Sequence, residues 1–190
     1  MEQDAFFDDV FGWEDITYFD KAYAVAQTAH KNQKRDEGTP YMNHIDGVVS
    51  ILKEELQIEI DLVLSVAVLH DVLENSNIYS LEWLEASFGH CIAKGVELLT
   101  KAERQSVKEY LDKIDQCVEM PWLMTIKLAD RLNNLRDLSF VNNNDKILKQ
   151  CKETRAYFFG FIEGYHNQYL YNEIIKALEI LEKGISHNGQ

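Results

Sequence analysis

His70 and Asp71 stand side by side at the C-terminal end of residues 59–73, a run that is apolar almost all round. An imidazole and a carboxylate in such surroundings need partners, because an unpaired buried charge is costly. A divalent metal ion satisfies both, and a mixed imidazole and carboxylate set suits Mn2+, Fe2+ or Zn2+ better than Ca2+. The dipeptide alone is weak evidence, since a solvated helix end carries the same pair. Two other segments bear on it. His44 opens an amphipathic stretch directly after Pro40-Tyr41. Asp130 lies inside residues 126–134, where Leu128, Leu132 and Leu135 form a core stripe at helical spacing. Lys127, Asp130, Arg131 and Asn134 share the opposite face, within an arc of about 100°. That face offers a carboxylate, a carboxamide and two cations to a ligand, or serves as an ordinary wetted surface.

The elements that must position these groups read as helices. Apolar periodicity predicts them at 18–35, 44–56 and 59–73, then at 80–89, 90–99, 106–118, 121–138, 145–164 and 168–184. Ser80 suits an N-cap, Pro121 a first turn, and Asn142-Asn143-Asn144-Asp145 a turn with a cap. No alternating strand pattern is present. Two prolines and nine scattered glycines in 190 residues leave no linker. The expectation is one all-α domain over residues 1–190. Hydrophobic residues at 46% and charged residues at 27% fit a globular chain and exclude disordered and low-complexity classes.

The net charge of −13 argues against nucleic acid and anionic membrane as partners, since such a chain repels both at long range. Cys91, Cys117 and Cys151 are odd in number and far apart, as expected of reduced thiols in the cytoplasm. The acidic start lacks the basic region of a signal peptide. The oligomeric state is not encoded in any pattern of the chain.

Several motifs occur in an order that resembles a known family. His44, His70-Asp71 and Asp130 follow the metal-ligand pattern of the HD-domain phosphohydrolases. His30-x-x-Gln33-x-Arg35-x-x-Gly38-x-Pro40-Tyr41-x-x-His44 resembles the opening of the hydrolase domain in the RelA/SpoT family. Leu69-His70-Asp71-Val72-Leu73-Glu74-Asn75, Leu99-Thr100-Lys101 and residues 126–134 continue the likeness, which covers Ala22 to Arg136. Helices at 145–185 would complete the domain. The chain is too short for a synthetase domain as well and so resembles the stand-alone small alarmone hydrolases.

The resemblance implies an all-α HD-domain helical bundle that binds one Mn2+ through His44, His70, Asp71 and Asp130. It implies removal of the 3′-pyrophosphate from guanosine 3′,5′-bis(diphosphate) or a related purine nucleotide. Glu74 would orient or deprotonate the attacking water, with Asn75 beside it. Lys34, Arg35 and Lys127 would supply charge for phosphates or stack on the purine, Asn134 would hydrogen-bond to the base or ribose, and Tyr157 would face the site from a later helix. Three positions depart from the pattern. Asn75 replaces the second of two paired acids, Asp36 stands where many relatives carry a second cation, and Asp137 where many carry a small hydroxyl residue. Other outcomes consistent with these changes are an HD-type phosphohydrolase acting on another nucleotide, and a catalytically weak alarmone-binding domain.

Overall fold

The structure is a computed structural model that describes residues 16–75, 78–164 and 168–188, without the side chains of residues 75, 162–164, 187 and 188. Helix α1 (Tyr18–Ala29) starts at a capping box in which Thr17 and Asp20 exchange hydrogen bonds. It stops six residues short of its predicted end. Residues 30–41 turn back on themselves instead. The Arg35 amide donates to the Thr39 carbonyl at 2.9 Å, and the Tyr41 amide to the Gln33 carbonyl at 3.0 Å. Gly38, at φ +88°, makes the turn; a side chain there would be strained.

Helix α2 (Met42–Ser50) continues into one π-helical turn over Ile51–Glu55. Helix α3 (Asp61–Leu69) buries every residue from Val63 to Leu69, the one hydroxyl among them, Ser65, donating to the Asp61 carbonyl. The predicted helix over 59–73 is interrupted here: His70 and Asp71 leave α3, and a short α4 (Val72–Asn75) follows. Helices α5 (Leu81–Phe88), α6 (His90–Leu99) and α7 (Val107–Asp115) lead to α8 (Trp122–Asp137), with Ser80 capping α5 as expected.

Helix α8 is the axis of the fold. Leu128, Leu132 and Leu135 are buried, and the helix packs against α2, α3, α6, α7, α9 (Asn144–Tyr157) and α11 (Gln168–Asn188). The predicted helix over 145–164 is broken at Phe158, which separates α9 from α10 (Phe159–Gly164). Phe158 turns inward and its ring lies 4.2 Å from the Arg131 guanidinium. Among the described residues there is no strand, only an isolated bridge between Lys34 and Pro40, and no helix is long and apolar enough to cross a membrane.

Candidate metal centre and adjoining cavity

Three elements converge on one point. The first turn of α2 carries His44, the end of α3 carries His70, and the middle of α8 carries Asp130. All three side chains are buried, and each contributes one potential ligand atom to a group lying within 4.8 Å of one another. Helices α2 and α3 both pack on α8, which brings the three side chains together.

Each imidazole is held from behind. The His70 Nδ1 faces the Ala67 carbonyl at 2.7 Å, one turn back on its own helix. The Asn133 carboxamide meets His44 Nδ1 at 2.9 Å. Both Nε2 atoms therefore face inward. His44 Nε2 lies 3.3 Å from Asp130 Oδ1. His70 Nε2 is fully buried and has no hydrogen-bond partner.

Asp71 closes the group. Its Oδ2 is 3.4 Å from His70 Nε2 and 3.7 Å from His44 Nε2. The Tyr41 hydroxyl donates a short hydrogen bond to the same oxygen. A buried, inward-facing nitrogen that makes no hydrogen bond, beside a second imidazole and two carboxylates, is a donor set that fits a divalent ion. The support of each imidazole through its other nitrogen is the usual arrangement around a metal.

Burial alone would lower the His70 pKa, but the Asp71 carboxylate outweighs it and pushes it up to about 9. Burial likewise opposes ionisation of Asp71 and Asp130. The His70 imidazolium holds Asp71 well below the usual carboxylate range, and the Lys127 ammonium does so for Asp130. Without an ion the cluster thus keeps its charge balance with a proton on His70. A metal must displace that proton.

Beside the cluster a cavity of about 270 Å3 runs along α8, lined by Lys34, Arg35, Lys127, Asp130, Arg131 and Asn134 among others. Lys127 Nζ donates to Asp130 Oδ2 at 2.6 Å and lies over the Tyr110 ring, 5.0 Å from its centroid. Asn134 Nδ2 donates to Asp130 Oδ1 at 2.5 Å and accepts at Oδ1 from Arg35 Nη2 at 2.7 Å. Arg35 also reaches Asp137 Oδ2 at 3.2 Å. Asp36 and Asp137, the two anionic departures, both line this cavity.

The structure places most of the expected residues here but not all. Tyr157 is a correction: it is exposed and does not line the cavity. Only the first two turns of α9 reach the cavity, through Lys146 and Gln150, and Tyr157 lies roughly 10 Å further along the axis. Glu74 is exposed, and its Oε2 accepts a hydrogen bond from the Lys101 amide at 3.2 Å. The side chain of Asn75 lies outside the described residues. The sequence gives no site role to Tyr41, Asn133 or Lys146, which the structure places at the cluster or the cavity. Asn133 lies three residues beyond Asp130, about 60° outside the arc of the other four, so it adjoins Asp130 on the helix without belonging to that face.

Residues 22–158 match the family described as HD domain. The chain belongs to the HD-domain family. This HD domain is 39% identical over 122 residues to the guanosine-3′,5′-bis(diphosphate) 3′-pyrophosphohydrolase MESH1 of Danio rerio, a match covering 60% of the chain and 65% of that protein. MESH1 of Homo sapiens is 37% identical over 128 residues, covering 63% and 68%. A GTP pyrophosphokinase of Streptomyces coelicolor is 32% identical over 146 residues, which is 73% of this chain but only 17% of that protein. The HD domain therefore spans just under two thirds of the zebrafish relative and a small part of the pyrophosphokinase. A solved structure of a metazoan orthologue of SpoT that hydrolyses ppGpp has the same fold, with a TM-score of 0.57 at 27% identity over 88% of each chain.

Proposed function

We propose that this HD domain is a Mn2+-dependent hydrolase that removes pyrophosphate from the 3′ position of guanosine 3′,5′-bis(diphosphate). The observation that carries the reading is the meeting of two features. Two buried imidazoles meet the Asp130 carboxylate, and Asp130 also lines a cavity whose walls carry Lys34, Arg35, Lys127, Arg131 and Asn134. The likeness to MESH1 supports the substrate. His44, His70, Asp71 and Asp130 would hold the ion. When bound, it would lower the pKa of water and neutralise charge on the phosphoryl group.

The chain's own residues do the rest. Tyr41 donates to Asp71 and holds that carboxylate against the two imidazoles. Asn133 and the Ala67 carbonyl fix the ring planes of His44 and His70. Arg35 and Lys34 attract the nucleotide's phosphates, and Asn134, held between Arg35 and Asp130, presents a carboxamide edge to the nucleoside. Glu74 takes the proton of the attacking water; its carboxylate is held by the Lys101 amide. Water adds to the phosphorus attached to O3′, the O3′–P bond breaks, O3′ gains a proton, and pyrophosphate leaves with the new oxygen. Product analysis of the full chain with Mn2+ tests the reading. GDP and pyrophosphate are the expected products. Orthophosphate release, or binding without turnover, overturns it.

A further inference from the structure

Lys146, in the first turn of α9, lines the far part of the cavity with Leu138 and Val141, and its ammonium pairs with the Asp36 carboxylate across the mouth. Lys34 aside, which is exposed, the other cations there are committed more deeply. Lys127 is bound to Asp130, both largely buried. Arg131 donates to Gln150 and to Glu153, the latter at 2.6 Å, and lies over Phe158. Arg35 is shared between Asn134 and Asp137. In the Lys146 pair, by contrast, the Asp36 side chain is 66% exposed and that of Lys146 36%. An ion pair this exposed contributes little and exchanges readily. Among these four, Lys146 is the cation an incoming phosphate can take over with the least loss.

Its position says which phosphate. The cavity follows α8 from Asp130 past Asn134 and Asp137 to Leu138, about 12 Å of helix axis. Arg35, next to Asp36 in the chain, reaches Asn134 and Asp137, so the Asp36–Lys146 pair belongs to the end away from the His44 and His70 cluster. A nucleotide with its 3′-diphosphate at that cluster carries its other diphosphate toward Lys146. We propose that Lys146 is a substrate-binding residue for the 5′-diphosphate, and that this diphosphate displaces Asp36 from Lys146 as the nucleotide enters. The inference rests on the hydrolase reading above. It also gives Asp36 a purpose. The carboxylate neutralises Lys146 in the empty cavity and competes with the substrate, so the two residues should act in opposite directions.

Steady-state kinetics on guanosine 3′,5′-bis(diphosphate), with the full chain at saturating Mn2+, test it. Lys146→Met should raise KM roughly 10-fold or more, the loss of one charge-assisted hydrogen bond, and the loss should fall on KM rather than on kcat. Lys146→Arg should recover most of it. Asp36→Asn should lower KM by about 2–5-fold, the scale of an exposed ion pair. Lys108→Met, an exposed cation on α7 away from the cavity, controls for net charge and should leave KM unchanged. Calorimetric binding of GDP, which keeps only the 5′-diphosphate, should weaken in Lys146→Met by a factor like that seen in KM. An active wild type in which Lys146→Met leaves both KM and GDP affinity unchanged, or in which Asp36→Asn raises KM, overturns the assignment and leaves the hydrolase reading standing. A wild type that neither hydrolyses nor binds the nucleotide removes both.

Discussion

Gly47→Ala should damage the metal centre from outside it. Gly47 lies on α2, one turn beyond His44, where that helix crosses α8. A Cβ added there would sit 2.1 Å from Asn133 Oδ1 and 2.8 Å from its Cγ, so Asn133 must move. It is not free to do so. Its side chain is buried, in contact with His44 Nδ1 at 2.9 Å and donating to Asp137 Oδ2 at 3.1 Å. Displacing it sacrifices a neutral hydrogen bond of about 1 kcal/mol and one to a carboxylate of about 1.5–3 kcal/mol. Replacing a helical glycine by alanine returns about 1 kcal/mol. The net destabilisation is about 1.5–3 kcal/mol, readable in denaturant unfolding of the metal-free chain. Because Asn133 fixes the His44 ring, metal affinity should also fall by roughly 10–100-fold. The decisive comparison is the double mutant. In an Asn133→Ala background the obstruction is gone, and Gly47→Ala should stabilise by up to about 1 kcal/mol. An equal cost in both backgrounds would refute the mechanism.

Glu74→Gln should bind metal as the wild type does, because Glu74 is not among the proposed ligands, yet lose about 100-fold or more in turnover, the scale of general-base loss. Metal titration and single-turnover rates separate the two effects, and wild-type turnover would remove Glu74 from the water-activating role. The metal-free chain should also lose stability toward alkaline pH. His70 titrates near 9 in the folded state against an ordinary 6.5, so its contribution is complete below pH 6.5 and lost as pH rises through 9. The difference is worth about 3 kcal/mol and should be missing from His70→Gln, measured by unfolding in chelator between pH 6 and 9.5. Metal affinity should rise over the same interval as the competing proton leaves. A flat stability profile in the wild type would contradict the buried His70–Asp71 pair.

The helical nature of the chain was open to reading because period and composition agree. The leucine stripe of α8, the Ser80 cap and the buried run of α3 are local signals with local causes. The failures are also physical. Residues 30–35 are rich in lysine, glutamine and arginine, good helix formers, and the hydrogen bonds of the turn, those to Thr39 and from Tyr41 among them, hold them out of α1. The break at Phe158 comes from burial of that ring under Arg131, a tertiary contact with no local trace. Tyr157 is expected at the site only through the family resemblance, and on α9 it lies beyond the turns that reach the cavity. The four metal-ligand candidates came from motif order, but what holds them did not. Tyr41 reaches Asp71 across 30 residues and Asn133 reaches His44 across 89, and no periodicity links such pairs.

Those supporting contacts explain how a chain of net charge −13 presents a cavity suited to an anion. Its cations are not in excess; most are matched with carboxylates on the same walls. Lys127 is matched with Asp130, Arg35 with Asp137, Lys146 with Asp36. What differs among the three pairs is exposure, and exposure sets how readily each exchanges partners. The buried Lys127–Asp130 pair is fixed, since parting it would leave two uncompensated charges. It holds Asp130 toward the imidazoles. The half-buried Arg35–Asp137 pair is tied through Asn133 and Asn134 to both His44 and Asp130, so a ligand drawing on Arg35 acts on the two supports of the cluster together. The exposed Lys146–Asp36 pair at the mouth is free to open. The gradient from fixed to exchangeable runs outward along α8, and on the hydrolase reading a nucleotide would meet the exchangeable pair at the mouth before it draws on Arg35 and the side chains tied to the cluster.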